Sequence, residues 1–229
     1  MPGVIRVGHK GADHVAPGNT VESFEAGLEH GVDMIEFDVL RARDGSLVLA
    51  HDYDDAEGRE CMTLEEGLDH FAGEAYRDIE LDVDLKLPGY EREVTDGLRE
   101  RGLLERSLIS TAWEESLEVL GELAPGVRRG WSVPRVRRDW TRSPLAPVAY
   151  AVVLWWRAAM PSRAARMLRG GECEAIMAHW MLVSARLAQA VGEAGGQLYV
   201  WTVDDAERIA ALEALGVDGV ISNDPRLFF

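Results

Sequence analysis

Lysine is nearly missing from this chain. Of its 24 basic residues only Lys10 and Lys86 are lysine, the rest being arginine. Positive charge of either kind is short: 40 acids leave a net charge of −16. That deficit argues against nucleic acid or an anionic membrane as a partner, since both demand basic patches. Any phosphate site must then carry its own local positive charge. Cysteine is equally scarce. Cys61 and Cys173 show no metal-type spacing, which suits a reducing, cytoplasmic setting. The longest apolar run, Val148 to Trp156, is far below the roughly 20 residues a membrane-spanning helix needs. The opening MPGVIRVGHKG has no long apolar core, so no signal peptide is expected. No break in composition marks a linker, and one domain over 1–229 is expected.

What is present is regular alternation. A hydrophobic content of 47% is ordinary for a chain that buries a core. Strands are expected at Val4–His9, around Glu36 and Asp38 at the start of the stretch Met34–Asp52, and at Ile79–Lys86, Ser107–Thr111, Val127–Val133, Glu174–Trp180, Gln197–Val203 and Val217–Ser222. Helical periodicity falls between them. Asn19 with Glu22 reads as a capping-box start for a helix ending at Gly31, and Thr63 with Glu66 as a second. Asp44-Gly45 reads as a tight turn before a short strand, Leu47 to Ala50. About eight strand–helix units favour a closed TIM (β/α)8 barrel over an open sheet, with the active site at the C-terminal ends of the strands.

The chemistry-bearing residues fall at those ends. In MIEFDVLRARDGSLVLAHD, Glu36 and Asp38 point to one face of a strand, and the stretch stops at His51-Asp52. In IELDVDLK, Glu80, Asp82, Asp84 and Lys86 alternate with four apolar residues, a face that in a barrel lines the interior near the mouth. Glu36, Asp38 and Asp84 are a hard-oxygen donor set suited to Mg²⁺ or Ca²⁺. His9 and His51 offer a base and an acid near neutral pH. The two lysines stand beside the first histidine and two residues after Asp84, where both could face one anionic group.

The order of these motifs resembles the glycerophosphodiester phosphodiesterase family. Its His-Arg-Gly, Pro-Glu-Asn-Thr, Glu-x-Asp and His-Asp read here as His9-Lys10-Gly11, Pro17-Gly18-Asn19-Thr20, Glu36-Phe37-Asp38 and His51-Asp52. Its Glu-x-Lys, Trp-Thr-Val and Gly-Val-Asp-Gly resemble Asp84-Leu85-Lys86, Trp201-Thr202-Val203 and Gly216-Val217-Asp218-Gly219. The resemblance implies a TIM barrel with a small insertion after His51-Asp52 and a divalent cation on Glu36, Asp38 and Asp84. It implies His9 and His51 as the acid–base pair, Lys10 and Lys86 on the phosphate, and Trp201 as a pocket wall. The implied substrates are small-molecule glycerophosphodiesters, cleaved to glycerol 3-phosphate and an alcohol. Lys10, Gly18 and Asp84 depart from the family's arginine, glutamate and glutamate. The departures leave open lysophospholipid cleavage, cyclic phosphate formation, or phosphate-ester binding without catalysis. The alcohol half is expected to be read by Trp131, Trp140, Trp155, Trp156 or Trp180.

Overall fold

The computed structural model describes residues 3–135 and 146–229. In chain order the elements are β1 (Ile5–Gly8), α1 (Val21–Glu29), β2 (Met34–Arg41), β3 (Leu47–Val48), α2 (Tyr53–Gly58), α3 (Leu64–Phe71), β4 (Glu80–Leu85), α4 (Glu91–Glu100) and β5 (Ser107–Thr111). Then follow α5 (Glu114–Leu123), β6 (Arg128–Val133), α6 (Ala146–Arg169), β7 (Ala175–His179), α7 (Ala185–Glu193), β8 (Gln197–Trp201), α8 (Ala206–Leu215) and β9 (Gly219–Ser222).

All of these strands except β3 pair in parallel, each with its neighbour, and β1 joins both β9 and β2 to close the ring. This is the TIM barrel expected from the alternation. β3 lies antiparallel on the end of β2, at Leu40↔Val48 and Arg41↔Leu47. With α2 it forms the small insertion after the second barrel strand.

The period-2 pattern of each strand divides the core in two. On β2, Ile35, Phe37 and Val39 face outward into a cluster with Phe24 of α1 and Leu68 and Phe71 of α3. Phe71 stacks on Phe37 at 5.0 Å and lies 4.7 Å from Phe24. Each such buried ring contributes about 1.5–3 kcal/mol. A second outer cluster joins β6 to β9 with α6, α7 and α8. Inside, Val7, Met34, Leu108, Met177, Tyr199 and Ile221 plug the barrel. The interior is tight. A Cβ on Gly130 would fall 2.8 Å from Leu108 and 2.9 Å from Met177.

Two local expectations need correction. Asn19 does not cap α1: Thr20 does, accepting from the Ser23 N–H at 3.3 Å, because Asn19 turns inward with a left-handed φ of 59°. The strand expected over Leu47–Ala50 stops at Val48, since the Leu49 N–H is taken by the Met62 carbonyl. After β9 the ring is finished by a 3-10 turn, Pro225–Phe228. The Thr63–Glu66 capping box is present in both directions.

Candidate active site

The C-terminal ends of the strands open into a cavity of about 630 Å³, lined among others by His9, Glu36, His51, Asp84, Lys86 and Trp201. Parallel register places Glu36 beside Asp82 and Asp38 beside Asp84 on the paired strands β2 and β4. One carboxylate oxygen from each of Glu36, Asp38 and Asp84 lies within 4.8 Å of the other two. Glu36 and Asp38 are buried. Burial first, then the neighbouring charges of Asp38, Asp82 and Asp84, pushes Glu36 well above the usual carboxylate range.

Two groups brace this cluster. The Lys10 backbone N–H donates to Glu36 Oε2 at 2.8 Å. Asn19 clamps Asp38 from both sides, its Nδ2 donating to Oδ2 at 2.9 Å and its Oδ1 accepting from the Asp38 N–H at 3.1 Å. The other oxygen, Asp38 Oδ1, is buried with no hydrogen bond of acceptable geometry, although Lys86 Nζ forms an ion pair with it. Lys86 Nζ also lies 2.5 Å from Asp84 Oδ2. Three crowded carboxylates against one ammonium leave two negative charges, which one divalent cation offsets. An all-oxygen donor set of this kind fits a hard cation.

His9 is set by a relay. Asp204 accepts from both the backbone N–H and the Nδ2 of Asn223, at 2.8 and 2.7 Å, which turns Asn223 Oδ1 toward His9 Nδ1 at 2.6 Å. An acceptor there places the ring proton on Nδ1 and leaves Nε2 with a lone pair, 3.8 Å from Glu36. Burial lowers the imidazole pKa to about 4, so the ring is neutral and ready to take a proton. His51 is exposed, and its Nδ1 meets Asp52 Oδ2 at 3.0 Å, which leaves its Nε2 for the cavity.

The other expected residues separate. Trp201 walls the cavity, its Nε1 donating to the Met177 carbonyl at 2.8 Å with the His179 ring set edge-on at 5.1 Å. Lys10 is not part of the lining. Its ammonium lies 3.7 Å from Asp13, and its charge still acts on His9 and Asp38. Trp131 is buried in the outer cluster, Trp156 and Trp180 pack against it, and Trp155 is exposed on α6. Trp140 lies outside the described residues. Instead Trp113 lines the cavity, with the Arg135 guanidinium 4.2 Å above its ring.

Asn19, Asn223, Asp204 and Asp82 escaped notice as site residues. Asp82 accepts from Ser110 Oγ at 2.6 Å on the cavity floor, and burial raises it to about 7. Its place in the alternating IELDVDLK was the available signal.

A closed parallel barrel that gathers carboxylates, imidazoles and one ammonium at its C-terminal rim has the layout of a barrel enzyme's active site. A model of the glycerophosphoryl diester phosphodiesterase family matches residues 9–60 and 56–227, and the chain belongs to that family. It is 26% identical over 253 residues to a glycerophosphodiester phosphodiesterase of Caldanaerobacter subterraneus subsp. tengcongensis, covering 96% of this chain and 93% of that protein. Its fold is similar to the crystal structure of glycerophosphodiester phosphodiesterase from Agrobacterium tumefaciens, with a TM-score of 0.71, 21% identity, and coverage of 98% of this chain and 99% of that one. It is also similar to an Oleispira antarctica phosphodiesterase solved with the product sn-glycerol-3-phosphate, with a TM-score of 0.70, 19% identity, and coverage of 98% and 94%. Among the described residues no helix is long and apolar enough to cross a membrane.

Proposed function

We propose that this enzyme, as one domain over 1–229, hydrolyses glycerophosphodiesters to glycerol 3-phosphate and an alcohol in a Mg²⁺- or Ca²⁺-dependent reaction. The observation that carries the reading is the meeting of Glu36, Asp38, Asp84, His9, His51 and Lys86 around one cavity. Glu36, Asp38 and Asp84 would hold the cation, which when bound supplies Lewis-acid stabilisation of phosphoryl oxygens. His9 Nε2, held deprotonated by the Asn223 relay, withdraws the proton from the attacking water. His51, oriented by Asp52, hands a proton to the departing alkoxide. Lys86 adds a compact positive charge beside the phosphoryl group. Lys10 supports the site through its backbone N–H on Glu36, and its ammonium adds positive charge near His9 and Asp38. The free thiols of Cys61 and Cys173 are consistent with a reducing, cytoplasmic setting.

Leu40, Leu85, Leu87, Trp113 and Pro134 give one side of the cavity an apolar wall. That wall favours a second reading, a lysophospholipase D-like preference for an ester with an apolar chain.

The test is turnover of glycerophosphodiesters and lysophospholipids by His9→Ala and His51→Ala. Each should lose about 10²-fold or more in kcat, the usual contribution of a positioned acid or base. Wild-type kcat in either variant would make that histidine structural.

A further inference from the structure

The acidity of this protein is not evenly spread. Between Arg135 and Arg169 the sequence carries eight arginines and a single acid, Asp139. Most of that stretch is α6, which at 24 residues is more than twice as long as the other helices. At 1.5 Å per residue it spans roughly 36 Å, against about 17 Å for a five-residue strand such as β7.

Its two halves live in different surroundings. Met160, Ala164, Met167 and Leu168 are buried in the outer cluster against β6 and β7. Arg163 lies over the Trp131 ring and forms an ion pair with Glu114, the first residue of α5 and the neighbour of the cavity-wall residue Trp113. That pair fixes the level of the barrel rim on α6. Because α6 follows β6, its earlier residues lie toward the C-terminal ends of the strands, where Val153 and Trp156 pack against the outer cluster and the opposite face is bare. There Leu154 and Trp155 are 65% and 66% exposed, Val152 is 49% exposed, and Arg157 is exposed one turn below. Large apolar side chains are not left in water at such density without a partner.

We propose that the outer half of α6 is a docking surface for an anionic lipid bilayer. Leu154 and Trp155 enter the headgroup layer, and Arg157 meets lipid phosphate. Local charge selects this occupant. An arginine-rich helix with an exposed tryptophan matches an anionic headgroup layer. The acidic remainder of the chain is repelled by the same layer and is screened beyond about 8 Å at physiological salt. The molecule therefore settles with α6, and the cavity mouth beside it, toward the lipid. The net charge of −16, which by itself argues against an anionic membrane, is thus overruled locally. Three side chains are too few for the roughly 800 Å² per partner of a stable protein interface. A lipid surface needs no matching shape.

The test is co-sedimentation of the full chain with phosphatidylcholine vesicles, with and without phosphatidylglycerol, at low and physiological salt. Binding is expected with phosphatidylglycerol only, and weaker as salt rises. The pair Leu154→Ser/Trp155→Ser should weaken it, and so should Arg157→Glu, which reverses one charge at the surface and should cost about tenfold. All these positions are exposed, so thermal melts should match wild type, and the readout does not depend on the reaction. Equal partition onto both vesicle types, or unaltered binding by the variants, would overturn the proposal. Self-association in sedimentation equilibrium that these substitutions abolish, without vesicle binding, would instead give the face to a second copy.

Discussion

Gly18 shows how a single missing carbon shapes the rim. A Cβ there would fall 2.6 Å from Asp13 Oδ1, 2.8 Å from Lys10 Cβ and 2.9 Å from Lys10 Cδ. The lysine stem lies across the glycine, and the Gly18 N–H is taken by Asp13 at 2.8 Å. Gly18→Ala is therefore expected to destabilise the protein by about 1–3 kcal/mol through overpacking, read from urea unfolding. Shortening the stem with Lys10→Ala should absorb part of that loss, a coupling of at least about 0.5 kcal/mol in a double-mutant cycle. Strict additivity would show that the two positions vary independently. Asn223 makes a different demand. It touches no cavity-lining carboxylate, yet it alone of the described residues fixes the His9 tautomer from Nδ1. Asn223→Ala should lower kcat about tenfold or more while leaving KM near wild type, because the ring is free to rotate or to move its proton. A fall in affinity without loss of kcat would make Asn223 a binding group.

Among elements, the seam between β1 and β2 is, like that between β8 and β9, among the thinnest in the barrel, with only Val7↔Met34 and Gly8↔Ile35 in register. A clip reinforces it below: the Arg6 backbone N–H, Nε and Nη2 all donate to Asp33, at 2.9, 2.8 and 2.7 Å. Burial alone would raise the Asp33 pKa, but the hydrogen bonds from Arg6 outweigh it and hold the carboxyl below its ordinary value. A depressed acid stabilises the fold above its unfolded pKa of about 4. That contribution fades as pH falls through the lower folded value. Asp33→Asn should therefore flatten the acid limb of the stability curve, by less than about 1 kcal/mol since both side chains are partly exposed. An unchanged acid limb would discount the clip. Elements as such were largely legible in the sequence, because strand alternation and helical spacing are local: β5, α5, α7 and α8 fall where the periodicity puts them. The carboxylate cluster was legible for the same reason, as Glu36, Asp38 and Asp84 sit on strands whose register follows from pairing. Lys10 was not. Its backbone takes a left-handed φ of 51°, and nothing in His9-Lys10-Gly11 announces that turn. The Asn223–His9 contact joins residues 214 positions apart, so it too required the ring to close.

At the scale of the whole molecule, the buried acids link metal, fold and turnover. Excess chelator should abolish hydrolysis, and Mg²⁺ or Ca²⁺ should restore it better than Zn²⁺, given carboxylate donors. The same ion should raise Tm, since a ligand at 100 times its Kd adds about 2.7 kcal/mol to the folded state. A melt indifferent to every divalent ion, together with full turnover in chelator, would remove the cation from the proposal. The ammonium of Lys86, lying against Asp38 and Asp84, acts in the meantime as a tethered counter-ion inside the barrel. A chain so equipped carries part of the charge compensation for its buried acids within its own sequence, whatever ion it later binds.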